Sequence, residues 1–357
     1  MPEIRLDGLT RRFGAATAVD DVSMTFAEGT VTCLLGPSGC GKTTLMRMIA
    51  GLEVPTSGRI RFGGRDVTGL SARQRGLAMV FQYPVMYRTL TVAENIALPL
   101  ARDRSLSPAE RRARVDEVLD VLDLSAQRGE RIGGLDMGAR QKVAVGRAIA
   151  RRCDVVLFDE PTTNVEVHAK LQLIRAFKEF RRRMRQTVVY VTHDQTEAMT
   201  LADQIALMQA GVLSQCAPPR VLYDQPESEF GGWFLGSPGM NFLDPLGEDG
   251  GQVQFAGIAG AVSAPPGGVA GLRAGIRPEY VRVFAQAGAG RVAARVTGDC
   301  ITIGGQHLLT LSVGSAELKA KVPPDGGMAP GSAAHVECPA EHVMLFRDGR
   351  RLARSVI

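Results

Sequence analysis

No CxxC pair occurs among the six cysteines of this 357-residue chain, which stand apart at 33, 40, 153, 216, 300 and 338. That pattern argues against a zinc site or a disulfide frame, so the thiols are read as reduced, in a cytosolic protein. No apolar run approaches the ~20 residues a membrane-spanning helix needs, and Met1-Pro2-Glu3-Ile4-Arg5 holds no signal-peptide core. Charge of neither sign dominates. The 42 basic and 37 acidic residues leave +5, too mild to argue for nucleic acid. The one dense basic run, Arg181-Arg182-Arg183-Met184-Arg185, is read as the solvated last turn of a helix, where cations suit the dipole, and not as a nucleic-acid surface.

What the sequence does hold is a nine-residue stretch, Gly36-Pro37-Ser38-Gly39-Cys40-Gly41-Lys42-Thr43-Thr44, directly after the apolar run Val31–Leu35. Its spacing is GxxxxGK[ST], a strand running into a phosphate-binding loop and then into a helix through Leu45, Met46, Met48 and Ile49. The glycines let successive backbone N–H groups face one concave spot. The helix start and Lys42 add positive charge there. Thr43 offers a hydroxyl to the magnesium that travels with a nucleoside triphosphate.

Two further apolar strands deliver polar residues at their carboxyl ends: Val155–Phe158 leads to Asp159-Glu160-Pro161, and Thr187–Thr192 to His193-Asp194. In open α/β sheets ligands bind at that edge. Asp159 is placed to hold the magnesium, Glu160 to polarise an attacking water, and His193 to hydrogen-bond the γ-phosphate. Gln82, which ends the strand Leu77–Phe81, bridges metal and water in this reading. A small antiparallel sheet is expected over residues 3–30, from three short apolar segments, with a hairpin at 58–68. Ser107-Pro108-Ala109-Glu110 predicts a helix start by cap, proline and capping box.

Composition changes along the chain. Of 41 glycines, 20 fall in the last 121 residues, leaving 41 − 20 = 21 in the first 236. Beyond 237 helical periodicity disappears, and β-like segments such as 251–255, 291–296 and 307–311 alternate with Gly/Pro turns, as in a small barrel or sandwich. The expected division is therefore 1–236 and 237–357, the second part a scaffold or regulatory domain.

Together these residues resemble the ATP-binding subunits of ABC transporters, specifically importers of the maltose/glycerol-phosphate type. The resemblance rests on Gly36–Thr44, Phe81-Gln82, Val155–Pro161 and Val191–Met199. It continues through Gly236–Phe242 and Gly275-Ile276-Arg277-Pro278-Glu279. It implies an α/β P-loop ATPase domain with an antiparallel β subdomain and a helical subdomain, followed by a small all-β (TOBE/OB-like) domain. It also implies ATP and Mg2+ as ligands, with Thr43, Gln82 and Asp159 at the metal and Phe13 stacking on adenine. The implied partners are transmembrane permease subunits, a second ATP-binding subunit in a homodimer or heterodimer and, indirectly, an extracytoplasmic solute-binding protein. The place implied is the cytoplasmic face of the inner membrane, peripherally bound, and the apolar loop Tyr83-Pro84-Val85-Met86-Tyr87 is a candidate groove for the permease.

The sequence departs from this family at the signature Leu-Ser-Gly-Gly-Gln, which faces ATP held by a partner subunit. The aligned stretch is Leu135-Asp136-Met137-Gly138-Ala139. Gly138 keeps a close-approach glycine, but Asp136 puts a carboxylate where a hydroxyl is usual. Facing a γ-phosphate it repels; turned to its own helix it caps, the arrangement expected here. In Thr163-Asn164-Val165-Glu166 the Glu replaces a common Asp. The expected activity is ATP hydrolysis energising import of a sugar, polyol or glycerol phosphate. Polyamines and inorganic anions are the alternative cargoes, and a soluble non-transport ATPase or a metabolite kinase the alternative classes.

Overall fold

The protein, a computed structural model, is described for residues 2–352 except 84, 85, 102, 104, 152, 164 and 185, and for the backbone alone at 180–184. It divides into two compact units, Met1–Arg220 and Val221–Ile357.

The first unit runs β1 (Ile4–Phe13), β2 (Ala16–Phe26), β3 (Val31–Leu35), α1 (Lys42–Ala50), β4 (Ser57–Phe62), β5 (Arg65–Asp66), α2 (Ala72–Arg75), β6 (Ala78–Val80), α3 (Val92–Ala97), α4 (Pro108–Val121), α5 (Met137–Ala150), β7 (Val155–Asp159), α6 (Val167–Met184), β8 (Thr187–Thr192), α7 (Gln195–Leu201), β9 (Gln204–Gln209) and β10 (Val212–Ala217). The three short segments expected over residues 3–30 are two long strands joined at Gly14-Ala15. Bulges in their pairing absorb the interruptions in the apolar pattern. These strands form an antiparallel sheet of order β2-β1-β4-β5.

A six-stranded sheet of order β10-β9-β3-β8-β7-β6 positions the site. β3, β7 and β8 are buried along their whole length, as parallel strands covered on both faces must be, which is why they read as continuous Val/Leu runs. Leu35 pairs with Thr192 and Asp159 with Val191, so these three strands end level with one another. Leu45, Met46, Met48 and Ile49 of α1 are fully buried against this sheet's core. α4 begins as expected: Ser107 caps, Glu110 closes the box and Pro108 opens the helix, with Val115, Val118, Leu119 and Leu122 buried. The basic run does fall at the end of α6; Arg185 and the side chains of 181–184 lie outside the described residues.

The second unit is mostly β. α8 (Pro219–Asp224) and α9 (Glu229–Phe234) are followed by β11 (Asn241–Leu243), β12 (Pro245–Asp249), β13 (Gln252–Phe255), β14 (Ala261–Ser263), β15 (Leu272–Ile276), β16 (Arg282–Phe284), β17 (Val292–Ile301), β18 (His307–Val313), β19 (Ala316–Val322), β20 (Ala333–Glu337), β21 (Met344–Arg347) and β22 (Arg350–Arg351). Its antiparallel sheets, β11-β15-β21-β22, β12-β13-β14 and β16-β20-β17-β18-β19, share one apolar core. The division into units comes before the glycine shift at 236–237. Arg277, 1% exposed, ties residues 223–235 to the strands that follow. Its guanidinium donates to the carbonyl oxygens of Tyr223 and Leu235 at 2.5 Å each and lies 3.6 Å from the Tyr223 ring. Buried charge must be hydrogen-bonded, and here the backbone of 223–235 supplies the acceptors, joining that segment to the β unit.

Candidate active site

The loop after β3 turns on Gly39 (φ +79) and Gly41 (φ +101), conformations that side chains disfavour. At Gly41 a Cβ would lie 2.3 Å from the Ala18 carbonyl oxygen, so β2 presses directly on the loop. Lys42, 4% exposed, donates from Nζ to the carbonyl oxygens of Gly36 and Pro37, both at 2.8 Å. Cys40 lies inside the same curl, its Sγ 3.7 Å from that Nζ. Pro37, Ser38 and Thr44 complete the loop.

Thr43 Oγ1 donates to Asp159 Oδ1 at 3.2 Å, joining the first turn of α1 to the tip of β7. Burial pushes the Asp159 carboxyl above its ordinary value, with the Thr43 hydrogen bond and Arg47 pulling the other way. A dry carboxylate beside a hydroxyl suits a hard cation that brings its remaining oxygen ligands from a bound phosphate. Among the described residues no group of three or more His, Cys, Asp or Glu could hold a metal ion.

Glu160 follows with φ +44, a left-handed conformation uncommon for a side-chain-bearing residue. Its N–H donates to Val191 O at 3.0 Å. Its Oε2 accepts from Thr163 Oγ1 at 2.9 Å and lies 3.2 Å from His193 Nδ1. The residues after β3, β7 and β8 thus come together at one edge.

Gln82, just past β6, lines a groove of about 340 Å³ with Tyr83, Met86, Met137, Gln141 and Thr163. Thr163, which donates to Glu160 Oε2, relates this groove to Glu160. Of the expected apolar loop, Pro84 and Val85 lie outside the described residues, as does Asn164. Phe13 is 47% exposed at the end of β1, paired with Ala16, with the Arg11 guanidinium 4.4 Å from its ring centre.

Asp136 and Gly138 belong to a different place. Asp136 Oδ1 accepts from Ala139 N at 2.7 Å and caps α5. Gly138 is small for a packing reason: a Cβ there would come 2.6 Å from the Cβ of Ala169 on α6. Both line a second groove, of about 470 Å³, with Glu166 and His168.

Sequence reasoning missed Lys170, Thr162 and Glu197, which lie directly behind this edge. The signal was available. Lys170 stands at i−3, i−4 and i−7 from Leu173, Ile174 and Phe177, all buried, so it is a cation on an apolar stripe.

An ABC transporter family model matches residues 19–163 and a TOBE domain model residues 274–346. A lactose transport ATP-binding protein of Rhizobium radiobacter is 40% identical over 81% of this chain and 82% of its own length. An sn-glycerol-3-phosphate import ATP-binding protein of Cereibacter sphaeroides is 42% identical over 79% of each. Among solved structures, the ADP conformation of an ATP-binding cassette of an ABC transporter superposes with a TM-score of 0.55 at 24% identity, over 63% of this chain and 96% of that one.

Proposed function

The chain belongs to the ATP-binding proteins of ABC transporters, and from that premise we propose that it hydrolyses ATP to drive import of a sugar or a glycerol phosphate through a separate membrane permease. The cargo reading is supported by the relatives' transport of lactose and glycerol 3-phosphate. Among the described residues no helix is long and apolar enough to cross a membrane. The path for the solute is therefore assigned to permease chains, with this chain at the cytoplasmic face and a second ATP-binding subunit, identical or related, beside it.

In this reading the amides of Gly39–Thr43 and the Lys42 ammonium bind the β- and γ-phosphates. Lys42 exchanges its two carbonyl partners for phosphate oxygens, a stronger charge-assisted pairing. Thr43, Asp159 and Gln82 would hold Mg2+, which would neutralise phosphate charge. Glu160 accepts a hydrogen bond from the attacking water and orients it, and His193 hydrogen-bonds the γ-phosphate. Phe13 supplies a face for adenine. The single observation that carries the proposal is that Glu160 and His193 share one 3.2 Å contact at the same sheet edge as the Lys42 loop.

The test is Glu160→Gln in the full chain. ATP binding is expected to persist, an ATP-bound dimer to accumulate, and turnover to fall by about 10²- to 10³-fold, the scale of a lost general base. Full turnover in that variant would remove Glu160 from its role and overturn the reading.

A further inference from the structure

Glu197 is fully buried, and a buried carboxylate is costly unless it is paired and hydrogen-bonded. Here both oxygens are engaged. Oε1 accepts from the Thr162 hydroxyl and from Lys170 Nζ, the latter at 2.8 Å. Oε2 accepts from Tyr190 Oη at 3.1 Å and Thr192 Oγ1 at 2.8 Å. Lys170 also reaches Asp194 Oδ2 at 2.5 Å. Asp194 in turn caps α7 through Glu197 N, and its own N–H donates to Thr192 Oγ1 at 2.9 Å. Burial works against the Lys170 charge, but the bonds to Asp194 and Glu197 outweigh it and hold the ammonium above its ordinary value. Asp194 is held below its own, chiefly by Lys170, against the cost of burial.

The partners come from the turn after β7, from α6, from the end of β8 and from α7. Two of those places carry the residues proposed for hydrolysis. Thr162 lies two residues past Glu160, next to Thr163, which donates to Glu160 Oε2. Thr192 and Asp194 flank His193. As a device for stability alone, a buried ion pair is poor, since well-packed apolar residues commonly do as well. What a saturated polar network adds is a defined geometry. Resting on the reading of Glu160 and His193 above, we propose that Lys170, acting through Glu197 and Asp194, is a positioning residue that holds the Glu160 turn and His193 in register for ATP hydrolysis.

The experiment compares the full chain with its Lys170→Met and Lys170→Arg variants. Hydrolysis of Mg-ATP, affinity for a fluorescent ATP analogue and the thermal midpoint are measured. The His193 imidazole resonance is followed as well, identified among five histidines by its loss in His193→Ala. Lys170→Met is expected to lower kcat about tenfold or more while nucleotide affinity stays within about twofold, since small misplacements of reacting groups are that costly. His193 should shift or broaden, and Lys170→Arg should recover both readouts. An unmoved His193 resonance with unchanged kcat in folded Lys170→Met overturns the proposal; so does a loss of nucleotide affinity as large as the loss of kcat. Should Lys170→Met fail to fold, Asp194→Asn, which keeps the α7 cap, must still move His193 and lower kcat, or the proposal falls. If Glu160→Gln keeps full turnover while Lys170→Met still displaces His193, the reading of Glu160 fails and the positioning of His193 stands.

Discussion

Helices α1 and α5 begin in opposite ways. α1 starts after Gly41, which brings no side chain to its cap, and the first turn holds no acid but does hold Lys42. Its leading N–H groups and the positive end of its dipole remain for an anion from outside. α5 starts after Asp136, whose carboxylate is bonded to Ala139 N, so the chain's own negative charge meets the same end of the same kind of dipole. The glycines differ in the same sense. Gly41 lets β2 close against the loop that carries Lys42, whereas Gly138 lets α6 close against α5. A helix start is open to a phosphate only where the chain withholds its own acceptor.

The contrast is broken most severely by Gly41→Ala. With φ +101 and the Ala18 oxygen 2.3 Å from the new Cβ, both backbone strain and a clash apply. The expected cost is about 3 kcal/mol or more, read as a fall in thermal midpoint together with lost ATP binding. Gly138→Ala should cost about 1–3 kcal/mol by overpacking against Ala169, with ATP affinity of the folded chain retained in an equilibrium titration. A selective loss of nucleotide affinity there, without loss of stability, would make Gly138 a ligand-facing glycine after all. The smallest effect is expected of Asp136→Ser. Serine caps about as well as aspartate, so stability should hold within about 0.5 kcal/mol. Turnover should stay level or rise as a like charge is removed. A collapse of turnover would mean that the carboxylate takes part in hydrolysis and that α5 is not closed.

Much of this site was legible in the sequence because its elements are local. The phosphate loop is contiguous, Asp159 ends one Val-rich strand with Glu160 next to it, and His193 follows another, the burial of both strands explaining their composition. The capping of α4 and of α5 is likewise short-range. The network behind the edge was legible only in pieces: Lys170 stood out as a cation on an apolar stripe and Glu197 lies within Val191–Met199, but the two are 27 residues apart and nothing in the sequence pairs them. The packing at Gly138 was hidden for a related reason: the atom a Cβ there would meet, the Ala169 Cβ, is 31 positions away. Composition changes at 236–237 while the compact units divide at 220/221, and Arg277, within the glycine-rich part, bonds to carbonyls that precede the glycine shift.

By itself the sequence determined the strands, the phosphate loop and the residues delivered at strand ends, since steric preference, burial and capping act over a few neighbours. The tertiary structure alone decided which of those ends meet, what stands behind them and which neighbours press on Gly41 and Gly138. Those are matters of register between parallel strands and of where a buried charge finds its partner, and both are settled only when distant segments pack.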